Sequence, residues 1–278
     1  MFKKKKAQKA HEAIMQEMEQ SKSAISQIVD NYQEFEIFNA ENIGQKVDFN
    51  YARTYIYMLS GYAEDIVTLI NNERYSSLYC LLKNFLECYG LGKNLVLAYF
   101  DNGEEYGKLL KQYYAATLNQ RKQECLDFNE DLAINYEEEM KFYDIRMEQM
   151  EKIICEFFDE YEDNLEGEDK EIALYEVIEK IVDEMNLPLD VDALALKALK
   201  SNELFTDEEF KRAVNIYISA KSASLNNVQT VLTRVLGLIE GRPALLVNKN
   251  EGIGPRVLDI VEKCLRDITG TVMEGFRF

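Results

Sequence analysis

A single histidine, His11, serves a chain of 278 residues; there is no tryptophan, and only Pro188, Pro243 and Pro255 supply proline. Each scarcity excludes something. A serine or cysteine nucleophile activated by histidine needs that ring inside a formed site, and His11 falls in a lysine-rich terminal stretch that reads as exposed. Ser-His-Asp and Cys-His chemistry is therefore disfavoured, and zinc sites built on histidine go with it. So few prolines, with 13 glycines, leave long stretches rich in Leu, Glu, Lys, Ala and Met. That composition favours long helices, and the expectation is an all-α protein.

The five cysteines, Cys80, Cys88, Cys125, Cys155 and Cys264, form no Cys-x-x-Cys pair. Several lie on apolar helical faces, so they read as buried, reduced thiols of a cytoplasmic protein. Lys3 to Lys6 are not followed by an apolar run, which argues against a signal peptide. The most apolar stretch carries Lys83, Glu87 and Lys93 inside the roughly 20-residue window a membrane span requires, so no membrane association is expected.

What is abundant is acid. The net charge is −18, and residues 129 to 187 hold 21 acidic side chains against 5 basic ones. This regional acidity reads either as a solvated surface or as a docking surface for a basic protein partner, with Glu137, Glu138, Glu139, Asp159, Glu160, Glu162 and Asp163 as its candidates. Nucleic acid is disfavoured as a partner, because binding its backbone requires cationic neutralisation.

Arg74 to Phe100 is apolar on nearly every face, as in a buried helix covered by amphipathic neighbours. Only Lys83, Asn84, Glu87, Lys93 and Asn94 interrupt it. Gly90 and Gly92 within it read as close helix packing or a local kink, since a phosphate loop would need a preceding strand. Before it, residues 7 to 37 read as a long charged helix with Ile14, Met18, Ile25, Ile28, Val29, Tyr32 and Phe35 at helical spacing. From about 47 to 72, Ala52, Ile56, Leu59, Ala63, Ile66 and Ile70 recur at the 3 and 4 spacing of a helix seam. The short Asn71-Asn72-Glu73 connection makes the second and central helices antiparallel neighbours.

Further helices are expected at about 104 to 128, 130 to 158, 170 to 185, 191 to 200 and 225 to 239, with a linker at 164 to 169. Thr206-Asp207-Glu208-Glu209 reads as a capping box opening another helix. Five glycines and prolines between Gly241 and Pro255 suggest a structured loop or short hairpin near 241–255, and Pro255 opens a last helix with Val257, Leu258, Val261, Cys264, Leu265 and Ile268 inward. The resulting organisation is an N-terminal helix with a charged tail at 1–46, a central helical bundle at 47–163, and a C-terminal helical part at 164–278 that either completes that bundle or forms a second layer.

Lys83 and Glu87 stand at i and i+4 and so lie side by side. They form either an intrahelical pair at an exposed edge or a pair facing a groove. Glutamates at helical spacing would allow a carboxylate site for magnesium or manganese, but solvated faces explain them more simply, and neither metal nor cofactor is implied.

Leu81-Leu82-Lys83-Asn84-Phe85-Leu86-Glu87, preceded by Arg74-Tyr75-Ser76-Ser77, resembles the signature of a family of bacterial helical proteins similar to HEPN (higher eukaryotes and prokaryotes nucleotide-binding) domains. The resemblance covers about residues 50 to 160 and, more faintly, 210 to 276. It implies a HEPN-like helical bundle and a setting in bacterial defence or toxin–antitoxin systems. HEPN ribonucleases use Arg-x(4–6)-His; the matching late helix here reads Tyr217-Ile-Ser-Ala-Lys221-Ser-Ala-Ser-Leu-Asn226, so Lys221 and Asn226 stand in those places and asparagine cannot carry the proton. Arg74, Lys83, Glu87, Arg212, Lys221 and Asn226 are the groove candidates. The expected function is a non-catalytic helical interaction protein, with a protein partner or a second copy of itself. The alternatives are an RNA-binding or RNA-cleaving HEPN-like protein with non-standard residues, and an acidic mimic of nucleic acid.

Overall fold

The computed structural model describes residues 2–40, 43, 46, 49–110, 112–113, 189–224, 236–239, 242–245 and 253–276. Helices account for nearly all of them: α1 (Phe2–Phe38), α2 (Phe49–Asn71), α3 (Tyr75–Asp101), α4 (Val191–Lys200), α5 (Asp207–Ser224) and α6 (Gly254–Gly275). The all-α class follows from the composition. Among these residues, no helix is long and apolar enough to cross a membrane.

The chain divides into two compact units, one formed by Met1–Asp101 with Val191–Phe278 and the other by Asn102–Asp190. These boundaries differ from positions 46 and 163, where composition shifts along the sequence. Segments on either side of the second unit fold together, a long-range pairing that no local pattern announces.

In the first unit, α3 is the central element, packing against α2, α4, α5 and α6. From Phe85 to Phe100 none of its residues is exposed. Its cover is the set of amphipathic faces the spacing predicts. Ala52, Ile56, Leu59, Ala63, Ile66 and Ile70 of α2 are all buried, as are Val257, Leu258, Val261, Cys264, Leu265 and Ile268 of α6. The α2–α3 connection is a Schellman turn: the Arg74 amide donates to Leu69 O at 2.8 Å and the Glu73 amide to Ile70 O at 3.1 Å. Glu73 takes the left-handed position at φ 53°, where glycine is the usual occupant.

The glycines of α3 let neighbouring backbones approach. A Cβ on Gly90 would lie 2.5 Å from Ala195 Cα in α4, and one on Gly92 would lie 2.8 Å from Tyr55 Cβ in α2. Close packing is therefore their role. At the far end of α3, the rings of Phe49, Tyr99, Phe100 and Phe276 form a cluster, with Phe49 and Phe276 edge to face at 4.8 Å. It ties the start of α2 and the end of α6 to the end of α3.

α1 packs against α6 and α2, with Met18, Ile25, Ile28, Val29 and Tyr32 buried. Ile14, expected on the same stripe, is 40% exposed, because the packed seam begins only at Met18.

The helix expected at 225–239 is corrected at its end. Leu236–Ile239 is a strand paired antiparallel with Arg242–Leu245, Leu236 opposite Leu245 and Ile239 opposite Arg242. Gly237 and Pro243 disfavour a helix there, and Pro243, lacking an N–H, is accommodated in a two-strand ribbon with free edges. The hairpin thus begins a few residues before the 241–255 window, and its second strand lies inside it. In the second unit, Asn102 Oδ1 accepts from the Glu104 amide at 3.1 Å and caps the helical residues 103–110, as its turn sequence suggests. The expected elements at 130–158, 164–169 and 170–185, Cys125 and Cys155, and the acidic candidates Glu137 to Glu139 and Asp159 to Asp163 lie outside the described residues.

Candidate functional site

Three helices bring charged groups to one place. On α3, Lys83 Nζ pairs with Glu87 Oε2 at 2.9 Å, one turn apart as their spacing dictates. On α5, Tyr217 and Lys221 stand at the same i, i+4 spacing and share a face. Asp192, in the first turn of α4, lies between them. Its Oδ1 accepts from the Tyr217 hydroxyl at 2.6 Å, and its Oδ2 pairs with Lys221 Nζ. Tyr217 Oη also lies 3.5 Å from Glu87 Oε1, which joins the two pairs. The cluster is half-buried, with Tyr217 itself covered.

The electrostatics follow from this packing. Hydrogen bonds from Lys221 and then Tyr217 hold the Asp192 carboxyl below its usual range. Burial, reinforced by the bond to Asp192, pushes the Tyr217 phenol up, so it serves as a donor and not as a base. Two cations and two anions are paired within the cluster, and its local charge is close to zero. A neutral tie of this kind fastens α3, α4 and α5 together.

Of the groove candidates, Lys83, Glu87 and Lys221 converge here. Arg74 is exposed at the start of α3 and Arg212 is exposed on α5; neither bonds to the cluster among the described residues. Asn226 lies outside the described residues. Asp192 and Tyr217 complete the site without having been candidates. The i, i+4 spacing of Tyr217 and Lys221 was the available signal for one of them, whereas nothing local marks Asp192.

A second polar group lies deeper. Lys93, 3% exposed, pairs through Nζ with Asp267 Oδ2 at 2.6 Å, and the Tyr89 hydroxyl donates to the same carboxylate at 2.5 Å. Asn202 Nδ2 donates to Tyr89 Oη at 3.1 Å and to Lys263 O at 3.3 Å. Asn94 Nδ2 donates to Gly90 O at 2.7 Å in its own helix and to Leu194 O at 3.3 Å in α4. These interruptions of the apolar helix are thus satisfied across helix crossings, as burial demands. A third group joins α1 to α2: Arg53 clamps the buried Glu36 with bonds of 2.8 and 3.1 Å, and Tyr57 donates to the same carboxylate.

Two of the three described thiols are muted. Burial pushes the Cys88 thiol up to about 12 and the fully buried Cys264 well above its usual range, whereas Cys80 is exposed. Among the described residues no group of three His, Cys, Asp or Glu could hold a metal ion. No protein-family model matches the chain, and no curated protein or solved structure matches it significantly.

Proposed function

We propose that the chain is a non-catalytic helical interaction protein that works by binding another protein. The observation carrying this reading is the pairing within the Lys83, Glu87, Asp192, Tyr217 and Lys221 cluster. General acid–base chemistry needs a group free to exchange its proton near neutral pH. Here Asp192 is held ionised, Tyr217 is held protonated, and each lysine is engaged by a carboxylate. Binding RNA through this face would require a surplus of positive charge, and Lys83 and Lys221 are offset by Glu87 and Asp192. The long helices and the excess of acid in residues 129 to 187 suit a basic protein partner. The bacterial defence setting rests on the family resemblance alone.

The test uses the purified full-length chain. Incubation with single-stranded RNA should give neither cleavage nor binding that weakens as salt rises. A partner recovered with the chain from its native cells should bind it again when both are purified. RNA turnover abolished by Lys221→Ala would overturn the reading and favour an RNA-cleaving HEPN-like protein. Salt-sensitive RNA binding without turnover, lost in the same variant, would favour an RNA-binding one.

A further inference from the structure

The two most exposed large apolar side chains among the described residues are neighbours at the end of α1. Ile37 is 74% exposed and Phe38 85%. One such residue is ordinary on a protein surface, but two together form the nucleus of a contact. Counting from Asp30, they stand at i+7 and i+8, with Glu34 at i+4. Asp30, Glu34, Ile37 and Phe38 therefore share one face of the helix, and all four are exposed. The seam that α1 buries, Met18, Ile25, Ile28, Val29 and Tyr32, lies on the other side.

The charge around this apolar pair has one sign. Asp30 and Glu34 make no ion pair among the described residues. Lys22 is the only basic residue between Met18 and Phe38, and Glu19 holds it at 2.7 Å. Lys46, the next cation along the chain, lies past the helix end. No basic residue occupies the last turn, so the negative end of the helix dipole adds to the two carboxylates. Glu36 takes no part, being buried and held by Arg53. Nucleic-acid phosphate and anionic lipid are repelled by such a face. A second copy of the chain would bring the same carboxylates to a two-fold contact, like against like.

We propose that the outer face of α1 formed by Asp30, Glu34, Ile37 and Phe38 docks a basic amphipathic helix of the protein partner. Large apolar side chains of that helix cover Ile37 and Phe38, and its lysines or arginines meet Asp30, Glu34 and the helix end. This is helix-on-helix recognition read from anchors at i+7 and i+8, with charge fixing the register. The proposal rests on the reading that the chain binds a protein, and adds the surface and the chemistry of what it binds.

The probe is a labelled peptide of leucine and lysine alone, patterned so that its helix has one apolar and one cationic face, titrated into the full chain by fluorescence anisotropy. Wild type should bind it. Ile37→Ser with Phe38→Ser, and separately Asp30→Asn with Glu34→Gln, should each weaken binding about tenfold or more. Glu64→Lys with Asp65→Lys removes acid from the exposed face of α2 and should bind as wild type does. Asp30→Lys with Glu34→Lys should take up the counterpart peptide carrying glutamate for lysine, which wild type rejects; a misfolded chain would not show that gain. A wild type that does not bind, α1 variants that bind unchanged, or an equal loss in the α2 variant would each overturn the proposal. So would a wild-type dimer in sedimentation that Ile37→Ser with Phe38→Ser makes monomeric, since a second copy would then be the occupant. A native partner bound equally by every variant would leave the protein-binding reading standing and overturn this surface alone.

Discussion

Lys93 reaches Asp267 across the crossing of α3 and α6, Nζ to Oδ2 in 2.6 Å, with only 4% of the lysine side chain exposed. The same carboxylate takes the hydroxyl of Tyr89, one turn earlier on α3. The central helix therefore carries a charge at its most buried level, and a single aspartate neutralises it.

Removing one member of this pair should cost far more than the pair itself contributes. Breaking a buried ion pair leaves a desolvated charge and typically costs about 3–5 kcal/mol, whereas an exposed pair is worth about 0–1 kcal/mol. Asp267→Asn and Lys93→Met should each lower unfolding free energy by about 3 kcal/mol or more, measured in urea, with the double variant Lys93→Met/Asp267→Leu recovering most of the loss. Arg266→Ala, which opens an exposed pair with Glu262, supplies the surface comparison. Single variants no worse than Arg266→Ala would show that the buried pair does not hold the crossing.

Two glycine-to-alanine changes should have opposite signs. Gly90 has the backbone of Ala195 where its Cβ would go, so Gly90→Ala must push α4 away and should cost about 1–3 kcal/mol. Gly61, on the exposed face of α2, has nothing within 4 Å, and Gly61→Ala should stabilise by about 0.4–1 kcal/mol. Thermal melts of the two variants decide it; a Gly90→Ala variant that melts no lower than wild type would contradict the α3–α4 contact, and a destabilised Gly61→Ala would contradict the open face of α2.

Acid should loosen the junction of α5 and α6. Glu209 caps α5 and takes Lys263 Nζ at 2.7 Å, and the bond from Lys263, followed by those from Thr206, holds its carboxyl down to about 2 from the ordinary 4.5. A carboxyl depressed in the folded state adds stability that is fully present above its unfolded value. That contribution should fade as pH falls from about 4.5 towards 2. Glu209→Gln should be less stable than wild type at neutral pH, and the difference should shrink through that window, followed by denaturant midpoints. A difference that stays constant down to the acid end would remove Glu209 from the linkage.

Much of this architecture was legible in the chain because it rests on local periodicity. The 3 and 4 spacing of Ala52 to Ile70 marked the face of α2 that meets α3, and Thr206 with Glu209 marked a capping box whose two reciprocal bonds are formed. Local punctuation was enough to suggest a hairpin, but not its register, because glycine and proline disfavour helix without saying which residues pair. Of the candidate site, the intrahelical Lys83–Glu87 pair was readable from its spacing.

By itself the sequence determined most of the described helices and their apolar faces, the strand at Leu236–Ile239 excepted, since backbone geometry converts spacing directly into faces. It also marked Lys83, Glu87, Lys93 and Asn94 as the polar residues of a buried helix that must find partners. Lys83 and Glu87 meet within their own helix, but only the tertiary structure decided which residues of other helices complete these contacts. Asp192 lies more than a hundred residues beyond the Lys83–Glu87 pair in sequence, and Asp267 is more remote still from Lys93. Their meeting depends on segments from either side of the Asn102–Asp190 unit packing on one helix, and burial then makes the Lys93–Asp267 bond obligatory.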